Sequence, residues 1–195
     1  MKKVLYYIFV ILVLSLSQAP PAAAWNVKTH YDIAEQTYYS LPISVQHNLN
    51  LVAMKDGSAD PDLKFFDFNY HHYPASRDKA DYWLNKGRNS YAIGDYKQAS
   101  YCFGVASHYI SDSVCAPHCT GKSVYYHNIY ELKAILINPH VNPSIGNSDS
   151  MMASDKIEGK KLWNIWMKNH DNKNIQGNLD QAASASYSAI NSFLA

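Results

Sequence analysis

Neither sign of charge predominates in this chain of 195 residues, which has 17 lysine and arginine residues, 16 aspartate and glutamate residues and a formal net charge of +1. Long runs of like charge, low-complexity segments and internal repeats are absent after residue 24. Domains held to nucleic acid by charge alone are usually strongly basic. The composition therefore argues against that class of protein, and the length predicts one domain.

No apolar run is long enough to span a membrane. The run from Val4 to Leu16, broken only by Ser15, is shorter than the ~20 residues that a transmembrane helix needs. Two lysines precede it and three alanines end the segment, which is the pattern of a signal peptide with its cleavage site. We predict a signal peptide over residues 1–24, a secreted or extracytoplasmic location, and a mature domain over residues 25–195. A retained N-terminal anchor is the alternative interpretation.

Cysteine is scarce, with Cys102, Cys115 and Cys119 as the three examples. In an exported chain, two of them could form a disulfide and leave one free. Cys115 and Cys119 flank His118 and are therefore also candidate thiolate ligands of a metal. A structural disulfide or small buried thiols are the preferred interpretations.

Alternating strand patterns are also absent, and apolar residues recur at helical spacing. We predict an all-α fold, a compact multi-helix bundle, with helices over residues 28–39, 44–54, 77–92, 96–114, 125–137, 154–169 and 178–194. The helix at 154–169 is expected to bury Ile157, Leu162, Ile165 and Trp166. Glycine and proline predict a long loop over residues 57–76. Long loops in compact domains are usually functional or disordered, and this one is predicted to be functional because it contains Asp62, His71 and His72.

Candidate metal ligands occur in pairs on the predicted helices. His108 and Asp112 are four residues apart, so both side chains project from one face of a helix, one turn apart. His127 and Glu131 repeat this spacing, and His118 lies between the two pairs. A single pair of this kind is more often a capped or salt-bridged surface. Two pairs within 24 residues, with a further histidine between them, favour a metal site.

The predicted N-terminus adds two more ligands. Cleavage before Trp25 would expose an α-amino group with a pKa near ~7.7–8.0, and the carbonyl oxygen of the same residue could close a chelate ring. His30 follows five residues later, within reach of the first helical turn. Considered alone, Trp25 would be interpreted as an aromatic core residue. Because zinc takes about four nitrogen, oxygen or sulfur ligands, so many ligands predict several zinc ions, zinc being the metal that these ligand types favour.

The ordered pattern resembles the zinc-dependent phospholipases C, including clostridial alpha-toxin, which are structurally related to fungal single-strand nucleases with three zinc ions. The resemblance extends from residue 25 to about residue 131. It rests on Trp25, His30, Gly57-Ser58-Ala59-Asp60-Pro61-Asp62, His71-His72-Tyr73, His108-Tyr109-Ile110-Ser111-Asp112, Pro117-His118, His127 and Glu131.

The resemblance implies a trinuclear zinc site with three zinc ions per chain. One ion would be held by Asp62, His71, His108 and Asp112. A second would be held by His118, His127 and Glu131. The third would be held by the amine and carbonyl of Trp25, by His30 and by Asp112, which would bridge two ions.

The reaction that the resemblance implies is hydrolysis of a phosphodiester by zinc-activated water, with Asp62 also acting as the general base. No nucleophilic side chain is needed. Two ligand assignments stay open, because Asp60 competes with Asp62 and His72 competes with His71. His47, His140 and His170 lie outside the motif and are expected to be ordinary solvated histidines.

Three functions stay open. Glu131 and the short segment between His118 and His127 are similar to the phospholipases, whereas the spacing from Trp25 to His30 is similar to the nucleases. Phospholipid is preferred, and a single-strand nuclease or nucleotidase is the alternative. A non-catalytic, zinc-stabilised surface protein is the third hypothesis, because metal binding stabilises a fold whether or not chemistry follows.

The expected partners follow from these functions. They are a phospholipid or another phosphodiester substrate and a peripheral membrane surface, with no stable nucleic-acid partner. Only about 60 residues follow Glu131, so we expect no counterpart of the β-sandwich that follows this domain in larger toxins. Aromatic residues of the segment 65–73 either form the wall of a headgroup pocket or pack the predicted loop.

Overall fold

The computed structural model describes residues 25–120, 124–143 and 148–195. These parts of the chain contain no β-strand, and their helices in chain order are α1 Val27–Ser40, α2 Ile43–Gln46, α3 Leu51–Asp60, α4 Ala75–Ala92, α5 Tyr96–Val114, α6 Val124–Ala134, α7 Ser148–Asn169 and α8 Asn172–Leu194. The predicted all-α bundle is confirmed. The predicted signal peptide over residues 1–24 lies outside the described residues. None of the described helices is long and apolar enough to cross a membrane.

Asparagine and aspartate side chains fix where four of these helices begin. The side-chain oxygen of Asn26 accepts a hydrogen bond from the main-chain N–H of Lys28 at the start of α1. Asn50, Asp95 and Asp171 cap α3, α5 and α8 in the same way. Such a cap stabilises a helix by about 0.5–2 kcal/mol relative to alanine. The positions of these caps explain why α5 begins where its apolar pattern predicts.

The central helix is α5, which is buried from Ala99 to Val114 except at Tyr101. It contacts α1, α3, α4, α7 and α8. Its first part packs in a core cluster with Met54, and its end joins a second cluster that contains Trp166. Polar side chains on α5 are therefore held inside the bundle, away from bulk water.

Two glycines allow α3 and α5 to cross with their backbones in contact. A Cβ atom on Gly104 would lie 2.0 Å from the carbonyl oxygen of Met54, and one on Gly57 would lie 2.2 Å from the carbonyl oxygen of Tyr101. No larger residue fits at either position without moving a helix. This close approach brings the carbonyl oxygen of Ser58 to 2.8 Å from Nδ1 of His108.

The prediction of a loop over residues 57–76 is wrong for the first half of this segment. Helix α3 continues through Gly57 to Asp60, and a π-helical turn, Pro61–Phe65, follows. Gly57 does not break the helix because its missing side chain makes room for α5. Pro61 lies at the start of the π-helical turn, where a missing N–H group is tolerated. A short 3₁₀ turn, Phe68–Tyr70, completes the connection to α4.

Two further predictions on the helices are wrong in detail. The single helix predicted over residues 44–54 is divided between α2 and α3. In α7 the predicted apolar face is rotated: Ile157 is 72% exposed, whereas Trp163 is buried. Trp163 and Trp166 are three residues apart and therefore share a face of the helix, where their rings stack with centroids 5.4 Å apart.

All three cysteines have free thiols in the structure, and Cys102 and Cys115 are buried. The structure therefore contains buried thiols and not a disulfide. Within the described residues, no cysteine belongs to a group of side chains that could hold a metal.

Candidate metal centre

The centre of the site is on α5, where His108 and Asp112 are both inaccessible to solvent. Their spacing of four residues places them one helical turn apart, as the sequence predicts. Nε2 of His108 lies 3.2 Å from Oδ2 of Asp112. Two potential metal ligands therefore face one point inside the bundle.

Three side chains from other parts of the chain converge on this pair. His30 of α1 lies with Nε2 3.3 Å from Oδ1 of Asp112. His71, which follows the 3₁₀ turn, has Nδ1 2.8 Å from Oδ2 of Asp112. Asp62 of the π-helical turn has Oδ1 3.9 Å from Nε2 of His108. We call these five residues the inner cluster, which is buried throughout.

The two oxygens of Asp112 face opposite groups of ligands. Oδ1 lies beside His30 and is 3.5 Å from the main-chain nitrogen of Trp25, while Oδ2 lies beside His71 and His108. The indole Nε1–H of Trp25 donates to the carbonyl oxygen of Ser111 at 3.0 Å, which fixes Trp25 against α5. This arrangement suits a carboxylate that bridges two metal ions.

A second group, the outer cluster, consists of His118, His127 and Glu131. His127 and Glu131 form a close contact one turn apart on α6. The ring of His118, just beyond the end of α5, lies with its centroid 4.9 Å from that of His127. All three residues are half-buried, so the outer cluster is closer to solvent than the inner one.

Hydrogen bonds fix the tautomers of two inner-cluster histidines. A carbonyl can only accept, so Nδ1–H of His108 donates to Ser58 O. The Ser111 hydroxyl donates to the carbonyl oxygen of His108 at 2.9 Å, so Nδ1–H of His30 must donate to Ser111 Oγ, 3.3 Å away. The Nε2 lone pairs of both rings therefore face the carboxylates, as metal-binding imidazoles require.

Several nitrogen and oxygen atoms of the cluster side chains lack a hydrogen-bond partner among the described residues. Within the described residues, none is found for Nε2 of His30 and His108, Nδ1 of His71 and His118, Oδ1 of Asp62 or Oδ2 of Asp112. Buried polar atoms are normally paired, because leaving one unpaired costs ~1–3 kcal/mol. Contacts of 2.8–3.9 Å without hydrogen-bond geometry are what ligands of a shared cation would show. Histidine nitrogens and carboxylate oxygens fit zinc.

The electrostatics of the inner cluster also favour a cation. Burial lowers the pKa of His30 well below its usual value, so its imidazole is neutral and able to bind metal. Burial acts to raise the pKa of Asp112, but His108 and His30 hold that pKa well below the usual range. Burial raises the pKa of Asp62 to about 6.

The outer cluster carries a carboxyl that is difficult to ionise without a metal. Burial raises the pKa of Glu131 to about 10, and the charges of Asp112 and Asp62 act in the same direction. Burial lowers the pKa of His118 to about 3, so this ring is neutral. A cation bound here would compensate the charge of the Glu131 carboxylate.

The structure separates the two pairs of competing residues. Oδ2 of Asp60 accepts hydrogen bonds from Lys64 Nζ at 2.9 Å and Tyr101 OH at 2.8 Å, outside the inner cluster, whereas Asp62 lies within it. His71 is buried in the inner cluster. His72 is exposed, and its ring centroid lies 4.5 Å from that of His118 in the outer cluster.

The histidines expected to be ordinary are exposed. Nδ1 of His140 lies 3.3 Å from Oδ1 of Asp180, and His170 stacks on Tyr126 with ring centroids 5.7 Å apart. His47 is also exposed, and none of the three belongs to a described candidate ligand group.

Sequence reasoning missed Asp67, which lies beside His71 of the inner cluster. Its Oδ1 lies 3.8 Å from Nε2 of His71. Its Oδ2 accepts hydrogen bonds from Tyr109 OH at 2.7 Å and Lys79 Nζ at 2.9 Å. Asp67 is four residues before His71, but no helical periodicity connects the two in the sequence, so the pair had no recognisable signal.

The aromatic residues of the segment 65–73 divide between packing and exposure. Phe65 stacks on Trp83 with ring centroids 5.8 Å apart. Phe66 and Tyr70 are exposed, and Lys79 Nζ lies 4.2 Å from the ring centroid of Tyr70. Packing therefore accounts for Phe65, whereas two rings remain at the surface near the site.

Comparison with known proteins agrees with this geometry. The family described as zinc dependent phospholipase C matches residues 29–192, a range that begins just before His30 and includes both clusters. Searches of curated proteins and of solved structures gave no match. Because the family match covers most of the chain, the protein belongs to the zinc-dependent phospholipase C family.

Proposed function

We propose that the protein is a secreted zinc metallohydrolase that cleaves phosphodiester bonds, with phospholipase C activity on phospholipid headgroups. The observation that carries this proposal is the inner cluster, where each of five buried side chains has a potential ligand atom without a hydrogen-bond partner among the described residues. Membership of the zinc-dependent phospholipase C family supports the same reaction class.

The proposed site holds three zinc ions in each chain. Asp62, His71, His108 and Asp112 would hold the first, and the outer cluster would hold the second. The third would be held by Trp25, His30 and Asp112. Support for the third comes from the main-chain nitrogen of Trp25, which lies 3.5 Å from Asp112 Oδ1. This assignment requires cleavage before Trp25, because only a free amine can act as a nitrogen ligand.

Bound zinc supplies Lewis-acid stabilisation of the phosphate and lowers the pKa of water toward neutrality. The protein residues position these charges and transfer a proton. Asp112 stays ionised because His108 and His30 lower its pKa. Burial raises the pKa of Asp62 to about 6 when no metal is bound, and a carboxylate positioned at the site can act as a general base. We propose that Asp62 accepts the proton of the attacking water.

Surface aromatic residues support a lipid substrate. Phe66 and Tyr70 are 65% and 42% exposed, on the segment between Asp62 and His71. Aromatic side chains with an apolar body are suited to a lipid–water interface. These two residues are proposed to contact the lipid surface while the inner cluster receives the phosphate.

The test uses protein that begins at Trp25, mixed phospholipid vesicles and single-stranded DNA as a parallel substrate. Phospholipase C activity predicts release of phosphorylated headgroup that a chelator abolishes and added zinc restores. Cleavage of DNA alone would contradict the lipid assignment and indicate a nuclease. A protein that binds zinc but cleaves neither substrate would contradict the enzymatic proposal and indicate a zinc-stabilised binding protein.

A further inference from the structure

The adjacent residues His71 and His72 face different clusters. His71 is buried, with Nδ1 2.8 Å from Oδ2 of Asp112 in the inner cluster. His72 is exposed, and its ring lies beside His118 of the outer cluster with centroids 4.5 Å apart. The dipeptide therefore spans both clusters.

Contacts between histidine rings distinguish His72 from the other histidines that lie outside the clusters. Three of the ring contacts join histidines within one candidate ligand group, at centroid distances of 3.9, 4.8 and 4.9 Å. The contact between His72 and His118, at 4.5 Å, falls within this range. Among the described residues, it is the one histidine–histidine ring contact that includes a residue outside the candidate groups.

The outer cluster has room for another ligand. It offers one nitrogen from each of His118 and His127 and an oxygen from Glu131, whereas zinc usually takes about four ligands. A neutral imidazole is among the ligands that zinc prefers. His72 is the described imidazole that contacts this cluster without belonging to it.

We propose that His72 is a fourth protein ligand of the zinc ion held by His118, His127 and Glu131. This inference rests on the proposed binding of zinc to the outer cluster and not on catalytic turnover. The group of ligand atoms within 4.8 Å of one another does not include His72, so binding would require its ring to turn toward the cluster. The exposure of the side chain allows this movement, because exposed residues change rotamer on a picosecond to nanosecond timescale.

Such a ligand has a consequence for access to the metal. A catalytic zinc site usually has three protein ligands and leaves a position for water or substrate. If His72 were bound, its imidazole would occupy that position. His72 would therefore increase zinc affinity and also control how substrate reaches the outer cluster.

The experiment compares protein that begins at Trp25 with its His72→Ala and His72→Asp variants, and with His140→Ala as the exposed histidine control. Zinc affinities are measured by competition with a chelator, and cobalt substitution reports the coordination through its visible spectrum. His72→Ala is expected to lower the affinity for one zinc ion by at least about tenfold. His72→Asp, which supplies a carboxylate ligand, is expected to recover most of that affinity, while His140→Ala leaves it unchanged.

A second arm identifies which ion is affected. In a Glu131→Gln background, zinc binding at the outer cluster is already weak. His72→Ala is then expected to leave the affinities for the remaining zinc ions unchanged. Equal zinc affinities and equal cobalt spectra for the unmodified protein and His72→Ala would overturn the inference. These measurements need no substrate, so failure of the vesicle assay alone would leave the inference intact. Headgroup release with unchanged zinc binding in His72→Ala would overturn it while supporting the proposed function.

Discussion

Asp67 lies behind His71, on the side of the ring that faces away from Asp112. Nε2 of His71 is 3.8 Å from Oδ1 of Asp67, whereas Nδ1 is 2.8 Å from Oδ2 of Asp112. Tyr109 and Lys79 both donate to the second oxygen of Asp67 and fix its position. A carboxylate behind a metal-binding histidine orients the ring and makes it a better ligand. We therefore predict that the negative charge of Asp67 helps to position His71.

Asp67→Asn is expected to reduce zinc affinity by about 10–100-fold without unfolding the protein. The amide keeps the shape of the side chain but loses the negative charge that faces His71. Chelator competition measures the change, and circular dichroism checks the fold. Asp78→Asn is the matched control, because Asp78 is exposed and contacts Arg77. Unchanged zinc affinity in Asp67→Asn would show that Asp67 has no role in zinc binding.

The sequence predicts those site residues whose geometry is local. His108 with Asp112, and His127 with Glu131, follow directly from helical spacing, and the structure brings both pairs together. The caps and apolar spacing likewise predict where α5 begins and ends. These features depend on residues within one or two helical turns.

Other features depend on packing between distant segments and could not be predicted. The hydrogen bond from His108 to Ser58 requires the glycine contacts between α3 and α5. Asp60 competes with Asp62 in the sequence, where the position after Pro61 favours Asp62, and the turn that follows α3 directs Asp62 to the inner cluster while Asp60 contacts Tyr101. The sequence therefore predicts the candidate ligands but not the residues that lie behind them.

Asp62→Asn tests the general base. Loss of the basic carboxylate is expected to lower kcat for headgroup release by about 10²–10⁴-fold, with little change in helical content. Asp60→Asn is the matched control, since Asp60 lies two residues away and contacts Lys64 and Tyr101. Zinc content is measured for both variants, because Asp62 is also a proposed ligand. Activity at the unmodified level in Asp62→Asn would show that another group accepts the proton.

A methionine placed before Trp25 tests the proposed amine ligand. The main-chain nitrogen of Trp25 lies 3.5 Å from Oδ1 of Asp112, and an added residue would convert an amine into an amide that cannot bind metal. The extended protein is expected to hold one zinc ion fewer than protein that begins at Trp25. Elemental analysis after dialysis measures the difference. Equal zinc content in the two proteins would exclude the amine as a ligand.

The pH dependence of zinc binding follows from the raised pKa of Glu131. Burial raises that pKa to about 10, so the metal-free carboxyl is protonated at neutral pH and its proton competes with zinc. Affinity at the outer cluster is therefore expected to increase as pH rises toward 10, by up to about tenfold per unit for one proton. Burial lowers the pKa of His118 to about 3, so this ring does not contribute to the change of zinc affinity with pH near neutrality.

Calorimetry in buffers of different ionisation enthalpy measures the protons released. About one is expected for the outer zinc, and Glu131→Gln is expected to abolish both that release and the slope. If zinc binding released the same number of protons in Glu131→Gln as in the unmodified protein, Glu131 would not be the protonated group.

Gly104→Ala tests the close crossing of α3 and α5. The added Cβ would lie 2.0 Å from the carbonyl oxygen of Met54, so the helices must separate. Overpacking of this kind typically costs ~1–3 kcal/mol, and separation would break the bond between His108 and Ser58. We therefore expect a lower melting temperature and weaker zinc binding in the same variant. Gly177→Ala is the control, because its Cβ would lie 3.9 Å from Leu162 and alanine favours a helix. A Gly104→Ala protein that melts at the unmodified temperature and keeps its zinc would show that the crossing tolerates a side chain.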